Sequence, residues 1–166
     1  MAGVIQRKRG PGINASADLL EVYAEYPQQN GVLINSSLRT DFKNLKVKVR
    51  DELKTLQNVK LNLRYINETS FLDIEENTSL SFSELGNRQG IIIKQGELYM
   101  ALEPSSKFDH FCILTLHATI IVYQALVRIV CGKNTSITVE DGTVKVYSIG
   151  SREISYIQTG QSTLIP

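Results

Sequence analysis

The hydrophobic pattern of residues 38–56 predicts one long amphipathic helix. Apolar side chains recur there at steps of three and four residues, which places them on one helical face at about 100° per residue. Ser36 or Ser37 can cap the first turn, because a serine hydroxyl accepts a backbone N–H bond, and Asn58 closes the helix. The apolar face is formed by Leu38, Phe42, Leu45, Val49, Leu53 and Leu56.

Most of the remaining chain alternates between apolar and polar positions, a period of two that is typical of half-buried strands. A first strand is predicted over residues 19–26 and ends at Pro27. The Asn30-Gly31 dipeptide then predicts a turn, because it adopts positive φ readily. The further predicted strands cover residues 32–34, 59–65, 91–94, 98–102, 137–139, 144–149 and 154–157, whereas residues 71–74 and 80–85 are predicted to be short strands or turns.

Two later dipeptides, Gln95-Gly96 and Asp141-Gly142, predict hairpin turns between neighbouring strands. Residues 111–130 are too many for one strand of ordinary length, so we expect two adjacent strands that divide near Tyr123 and Gln124. Many strands with one long helix predict the α+β class. The expected architecture is a single domain in which a mostly antiparallel sheet packs against the helix.

A chain of 166 residues with 42% apolar and 21% charged residues can bury a core without disulfides or metal ions. We expect a flexible basic N-terminal arm over residues 1–17, one domain over residues 18–158 and a polar C-terminal tail over residues 159–166. Cys112 and Cys131 lack metal-binding spacing, so we expect free thiols. No secretory signal follows the basic N-terminal residues, which favours an intracellular protein.

Cationic residues are concentrated in the first part of the chain. Residues 1–64 hold 11 Lys and Arg against 6 Asp and Glu, whereas residues 65–166 hold 7 against 11, although the net charge is only +1. Five cations follow the apolar positions of the predicted helix and would form a stripe, for which a solvated helix face is the alternative explanation. With the arm and the next strand they predict a binding surface for an anionic partner, formed by Arg7, Lys8, Arg9, Arg39, Lys43, Lys46, Arg50, Lys54, Lys60 and Arg64.

The sequence contains no recognisable enzyme motif. Its glycines form no phosphate-binding loop, and neither GxSxG nor HExxH occurs. His110 and His117 flank Cys112, but on a strand His117 would point to the opposite face from the other two. We therefore predict no catalytic, cofactor-binding or metal-binding residues and a protein that is not an enzyme, with a small enzyme as the alternative.

Late in the chain, a few residues occur at spacings that resemble a Phe, a Leu and an Arg-Ile-x-Cys segment in rhabdovirus matrix proteins of the lyssavirus branch. The predicted order of strand, Asn-Gly turn, helix, strand and β-rich run also resembles that family. The PPxY and PTAP budding motifs of animal rhabdoviruses are missing and the chain is short, which favours a plant- or insect-infecting member. The residues that carry the resemblance are Phe111, Leu114, Arg128, Ile129 and Cys131.

The resemblance implies a non-enzymatic structural protein that self-associates and bridges the nucleocapsid and the inner membrane leaflet. Its implied partners are further copies of itself, the viral nucleocapsid and an anionic membrane surface, with no cofactor and no small-molecule substrate. Its implied locations are the virion and, in the host, the cytoplasm, the inner face of the membrane or the nucleus. The alternative is an RNA-binding capsid or suppressor protein that uses the basic arm and the helix.

Charge reversal at Lys43, Lys46 and Arg50 tests whether these cations bind anions. The variant should pellet less with anionic liposomes and show a flatter salt dependence of RNA binding, because each lost phosphate contact reduces the release of counterions. Sedimentation with liposomes and titration of labelled RNA measure the two effects. An unchanged salt slope would remove these three residues from the binding surface.

Overall fold

The computed structural model describes residues 20–23, 31–40, 46–65, 70–85, 88–103 and 110–166. Over these residues the chain is all-β, with 69% strand and no helix. One mixed sheet contains β1 Leu20–Tyr23, β2 Val32–Ile34, β3 Ser37–Arg39, β4 Lys46–Val47, β5 Glu52–Thr55, β6 Leu61–Tyr65, β7 Phe71–Ile74, β8 Ser79–Leu85, β9 Arg88–Leu102, β10 Phe111–Leu114, β11 Ala118–Cys131, β12 Thr135–Ser148, β13 Ile154–Gln158 and β14 Ser162–Ile165.

The sheet has two halves that share the long strands β9, β11 and β12. The first half has the order β4-β1-β6-β7-β9-β11-β12-β14 and uses the C-terminal parts of β9 and β11 with the N-terminal part of β12. The second half has the order β3-β2-β5-β8-β9-β10-β11-β12-β13 and uses the opposite ends of the long strands. Among the described strands, β9 and β10 pair in parallel and the other pairings are antiparallel.

One side of the sheet is apolar in both halves and forms a single core. In β11, Ile120 and Val122 of the second half and Val127 and Ile129 of the first half are all 0% exposed. The apolar sides of both halves contribute to this core. The buried residues form one contiguous cluster, to which every strand from β2 to β14 except β3 contributes.

A single extra residue in each long strand changes which alternate positions point inward. In β11 the extra residue is Tyr123, between Val122 and Gln124. In β12 it is Glu140, and in β9 it is Lys94. Beyond each of these β-bulges the buried positions change between even and odd numbers, so the apolar side stays inward in both halves.

The predicted helix over residues 38–56 is wrong, and the α+β class is wrong with it. The described part of this segment consists of strands β3, β4 and β5, which are separated by turns or by the undescribed residues 41–45. Ser36 does not cap a helix, because Asn35 and Ser36 have φ of 50° and 64° and form the turn of the β2–β3 hairpin.

The helical spacing in this segment comes from a turn that interrupts the alternation of short strands. Asp51 accepts the N–H of Lys48 on Oδ2 at 2.8 Å and donates its own N–H to the Lys48 carbonyl at 3.1 Å. Arg50 has a φ of 74° in this turn, a left-handed conformation that a right-handed helix excludes. Beyond the turn, β5 alternates between exposed and buried residues.

Two predicted hairpin turns lie inside continuous strands. Gln95-Gly96 belongs to β9 and Asp141-Gly142 to β12, and both glycines have positive φ close to a bulge. A bulge needs such a conformation locally but does not reverse the chain. The predicted division near Tyr123 is also a bulge, and the chain turns instead at residues 115–117, between β10 and β11.

Several strand predictions and the free cysteines are confirmed. Strands β2, β6 and β13 lie within or overlap their predicted ranges, and both cysteines are free and buried. Of the two alternatives for residues 71–74 and 80–85, the structure has the strands β7 and β8. Residues 159–166, expected as a polar tail, include β14, which pairs with β12 and buries Ile165 in the core. The predicted arm over residues 1–17 lies outside the described residues.

In the described ranges, no helix has the length and hydropathy needed to cross a lipid bilayer.

Replacing Gly142 by alanine tests the bend between the two halves. Its φ is +86°, and an added Cβ would lie 2.2 Å from the Gln124 carbonyl oxygen and 2.9 Å from Ala125 Cα. We expect Gly142→Ala to lower the free energy of unfolding by about 2 kcal/mol or more, because left-handed geometry and backbone overlap both oppose the side chain. Urea denaturation followed by circular dichroism measures the change.

Gly132→Ala is the matched control, since a Cβ at Gly132 would meet no heavy atom within 4 Å. Equal stabilities of the two alanine variants would show that the bend does not depend on the glycine at position 142.

Candidate functional site

The cations that the sequence predicts as one helical stripe are dispersed over the sheet. Arg39 pairs with Val32, which in turn pairs with Thr55, whereas Lys54 pairs with Leu33. Directly paired residues point to the same side of a sheet, and successive residues of a strand point to opposite sides. Arg39 and Lys54 therefore point to opposite sides, and both are exposed.

The other described members of the predicted anion-binding set lie in different elements, although Lys46 and Arg64 both pair with Glu21 of β1. Lys46 belongs to β4, and Arg50 lies in the exposed turn before β5. Lys60 Nζ forms an ion pair with Glu75 at 2.6 Å, and Arg64 makes a side-chain hydrogen bond within β6. Anion binding by this set stays a prediction. Outside the described residues lie Arg7, Lys8, Arg9 and Lys43.

The outward side of the first half carries a polar ladder, beside the exposed Val130 and Leu164. Arg128 Nε donates to Glu97 Oε1 at 2.5 Å between β11 and β9, and Tyr99 Oη donates to Glu140 Oε2 at 2.7 Å between β9 and β12. Further side-chain pairs join β6 and its flank to β7 and its flank. Charges that are matched from strand to strand suit a face turned to water, where such pairs contribute little to stability.

The outward side of the second half is aromatic and aliphatic where β12 and β13 pair. Tyr147 lies opposite Ile154, and Lys145 lies opposite Tyr156, so the four side chains point the same way. Ile154 is 56% exposed and Tyr156 is 60% exposed. We call Lys145, Tyr147, Ile154 and Tyr156 the tyrosine face.

The outward surface beside the tyrosine face continues over β11 and β10. Ile121 pairs with Lys145, Thr119 pairs with Tyr147, and Leu114 pairs with Thr119. Ile121, Thr119 and Leu114 are each partly exposed. The tyrosine face is therefore the outer end of a surface that extends across four hydrogen-bonded strands.

Lys145 is held between two aromatic rings. Its Nζ lies 4.8 Å from the ring centroid of Tyr147 and 5.6 Å from that of Tyr156, within the range of cation–π attraction. The hydrogen bond to Tyr147 is the main cause that raises the pKa of Lys145 above its ordinary value, with a smaller contribution from Tyr156. No carboxylate among the described residues forms an ion pair with this ammonium group.

The histidines that flank Cys112 have separate surroundings. His110 directly precedes β10, and its ring lies beside the ring of Tyr123 in β11, with centroids 5.8 Å apart. His117 lies in the β10–β11 turn, and its Nδ1 is 2.9 Å from Thr135 Oγ1. These contacts place the two imidazoles in packing and turn roles.

One cleft of the described surface is bordered by carboxylates that already have partners. A cleft of about 500 Å³ is bordered by Glu75, Glu76 and Glu97. Glu75 and Glu97 form ion pairs, and Glu76 accepts a backbone N–H bond. Over the described residues, His, Cys, Asp and Glu form no group of three or more that could hold a metal ion.

Sequence reasoning did not find the tyrosine face, although one of its signals was present. Lys145 and Tyr147 alternate with buried valines, which marks both as outward positions of a predicted strand. Aromatic residues at outward positions are the signal that could have identified a surface. Their mutual contact depends on the register between β12 and β13, which the spacing alone does not give.

No family model and no curated protein matches this chain. Its fold is similar to two crystal structures, at 1.65 and 2.50 Å resolution, of a "putative anti-sigma factor" from Parabacteroides distasonis ATCC 8503. Each has a TM-score of 0.58 and 11% sequence identity, over 68% of this chain and 53% of that chain. This chain thus spans about half the length of that protein, and the likeness shows the fold alone.

Tyr99 of the polar ladder should stay protonated at pH values where ordinary tyrosines ionise. Burial and the hydrogen bond to Glu140 raise its pKa from 10.0 to about 12. The folded chain then keeps a proton that the unfolded chain loses, so the associated stability is complete below about pH 10 and is lost as the pH rises towards 12.

Phenolate absorbance during alkaline titration of the native chain and of Tyr99→Phe measures this ionisation. The variant should lack a late step, and its stability should fall less steeply above pH 10. Loss of an ordinary early step instead would contradict the assignment.

Proposed function

We propose that this chain is a non-enzymatic protein-recognition domain that binds a partner polypeptide through the tyrosine face. One observation carries the proposal: large apolar side chains are exposed side by side on an ordered sheet. Tyr156 and Ile154 are 60% and 56% exposed and lie next to Tyr147 and Lys145. Tyrosine offers a large contact area with few rotatable bonds and is enriched at the energetic centres of protein interfaces.

The backbone beneath the tyrosine face supports this role. β12 pairs with β11 along nearly its whole length and with β13 at its C-terminal end. The inward residues Val144 and Val146 of β12 are 0% and 2% exposed, so their burial in the core holds this strand in place. A surface that is already ordered loses little conformational freedom on binding, which favours affinity.

The contrast between the two outward sides favours the second half as the binding side. Ion pairs and hydrogen bonds on the polar ladder match their charges within the sheet. On the tyrosine face, Lys145 carries a charge that contacts aromatic rings and has no carboxylate partner among the described residues. A partner therefore gains more by covering the tyrosine face, because apolar area is removed from water and the cation can be paired.

The fold likeness to the "putative anti-sigma factor" is compatible with this proposal, because that description names a protein that acts on another protein.

The resemblance to rhabdovirus matrix proteins stays a prediction. Self-association and nucleocapsid contact would also need a protein-binding surface, so the tyrosine face is compatible with that role. The proposal made here does not depend on the predicted helix, which is replaced by strands.

Selection of peptides on the intact chain tests whether the tyrosine face binds polypeptides. A phage library of random linear peptides is panned on the native chain and on the double variant Ile154→Ser, Tyr156→Ser. We expect enrichment on the native chain to exceed that on the variant by about tenfold or more, because removal of two central apolar contacts typically weakens an interface by at least that factor.

Leu164→Ser is the matched control, because Leu164 is 62% exposed but lies on β14. It should leave the enrichment unchanged. Absence of enrichment on the native chain, or an equal loss in the Leu164 variant, would contradict binding through the tyrosine face.

A further inference from the structure

β13 forms the outer edge of the second half. Among the described strands it pairs with β12 and with no other strand. Its five residues, Ile154–Gln158, continue the sheet directly beyond the tyrosine face. An edge strand carries backbone N–H and C=O groups on its free side, and an extended peptide can add to them as a further strand.

The hydrogen-bond alternation identifies the backbone groups on the free side of β13. The Ser148 N–H donates to the Glu153 carbonyl at 3.0 Å, which marks a bonded position at the start of the pairing between β12 and β13. Bonded and non-bonded pairs alternate along an antiparallel ladder. Ser155 and Ile157 are therefore bonded to β12, whereas the N–H and C=O groups of Ile154 and Tyr156 point to the free side.

The end of β13 independently supports this alternation. Gln158 should also point its backbone away from β12, and its N–H indeed donates to Gln161 Oε1 at 2.9 Å. The Gln161 N–H donates to the Gln158 carbonyl at 2.9 Å. The turn towards β14 thus satisfies the third outward position, and the free edge is limited to Ile154 and Tyr156.

β13 lacks the features that usually prevent edge pairing. Its sequence, Ile-Ser-Tyr-Ile-Gln, contains no charged residue, proline or glycine, and its register with β12 is continuous. Natural edge strands are commonly protected by lysine, proline or a bulge. The free backbone groups also belong to Ile154 and Tyr156, whose side chains form the exposed apolar part of the tyrosine face.

The charge on the tyrosine face defines the chemistry of an added strand. Lys145 lies one strand inside the edge, so an added strand would run roughly 10 Å from it. The side chain of Lys145 and that of a glutamate in the added strand are together long enough to meet across Tyr156, which lies between them. Lys145 has no carboxylate partner among the described residues, so an acidic side chain from the added strand would complete its charge pairing.

We propose that β13 binds an extended segment of a partner protein by strand addition, and that this segment carries an acidic residue with an apolar residue two positions before it and another two positions after it, on the same side of the strand. The inference rests on the proposed function and adds its binding mode and ligand chemistry. The main-chain groups of Ile154 and Tyr156 supply hydrogen bonds, the tyrosine face contacts the apolar side chains, and Lys145 selects the acidic residue.

Two phage libraries on the intact chain test both parts of this inference. In one library a fixed glutamate has a valine two positions before it and another two positions after it, so that the three side chains point to one side, and the other positions are random. In the second library, lysine replaces the glutamate. The acidic library should be enriched about tenfold over the basic library on the native chain, and Lys145→Glu should reverse this preference. Equal enrichment of both libraries on the native chain would overturn the role of Lys145.

Ile154→Pro and Ile154→Thr form the matched pair for the backbone. Both substitutions remove the isoleucine side chain, but only proline also removes the backbone N–H. Proline is tolerated on an edge strand at a residue whose N–H points away from the sheet. Ile154→Pro should reduce enrichment of the acidic library by about tenfold more than Ile154→Thr, since one main-chain hydrogen bond and its geometry are lost. Circular dichroism and the unfolding midpoint confirm that both variants fold.

The outcomes separate the inference from the proposed function. Equal enrichment on the proline and threonine variants, with loss on Tyr156→Ser, would overturn strand addition and leave the tyrosine face as a binding surface. Failure of both libraries on the native chain would overturn both. Concentration-dependent dimers in sedimentation that disappear only in Ile154→Pro would identify the occupant as a second copy and overturn the acidic partner.

Discussion

Burial of one side of the sheet depends on three single-residue bulges, at Lys94 in β9, Tyr123 in β11 and Glu140 in β12. Each long strand belongs to both halves. With strict alternation, its apolar residues would point inward in one half and outward in the other. One extra residue per strand restores the inward direction. Gly142, with its positive φ, follows the β12 bulge at the point where an added side chain would overlap β11. The core is therefore one cluster, because the inward positions of all three strands change between even and odd residue numbers at their bulges.

The bulges also determine which residues lie on the outward side of each half. On the first half, the outward positions bring Glu97 to Arg128 and Tyr99 to Glu140, so polar groups are matched within the sheet. On the second half, they bring Lys145 to Tyr156 and leave apolar area in water. Matched charge and exposed aromatic area have different physical uses, the first for solubility and the second for recognition. The outward surfaces of the two halves thus differ in chemistry, and the proposed recognition role belongs to the second half.

The sequence predicted those elements whose alternation is uninterrupted. β6 was found because apolar and polar residues alternate without a break. The three long strands were divided because a bulge disturbs the alternation in the same way as a turn, and the glycines at 96 and 142 strengthened that interpretation. The helix was predicted because the left-handed turn at Arg50 shifted two short strands into an apparent helical spacing. The tyrosine face required knowledge of register, since Lys145 and Tyr156 meet only through the pairing of β12 and β13.

The sharing of β9, β11 and β12 also determines what can be separated within this chain. β12 pairs with β14 through Thr135–Thr138 and with β13 through Thr143–Tyr147, so a single backbone serves both ends of the structure. A cut between the halves would pass through three strands and leave each fragment with an open core. Neither half can be excised as an independent module or exchanged during evolution, and any segment grafted from this protein has to include all three strands.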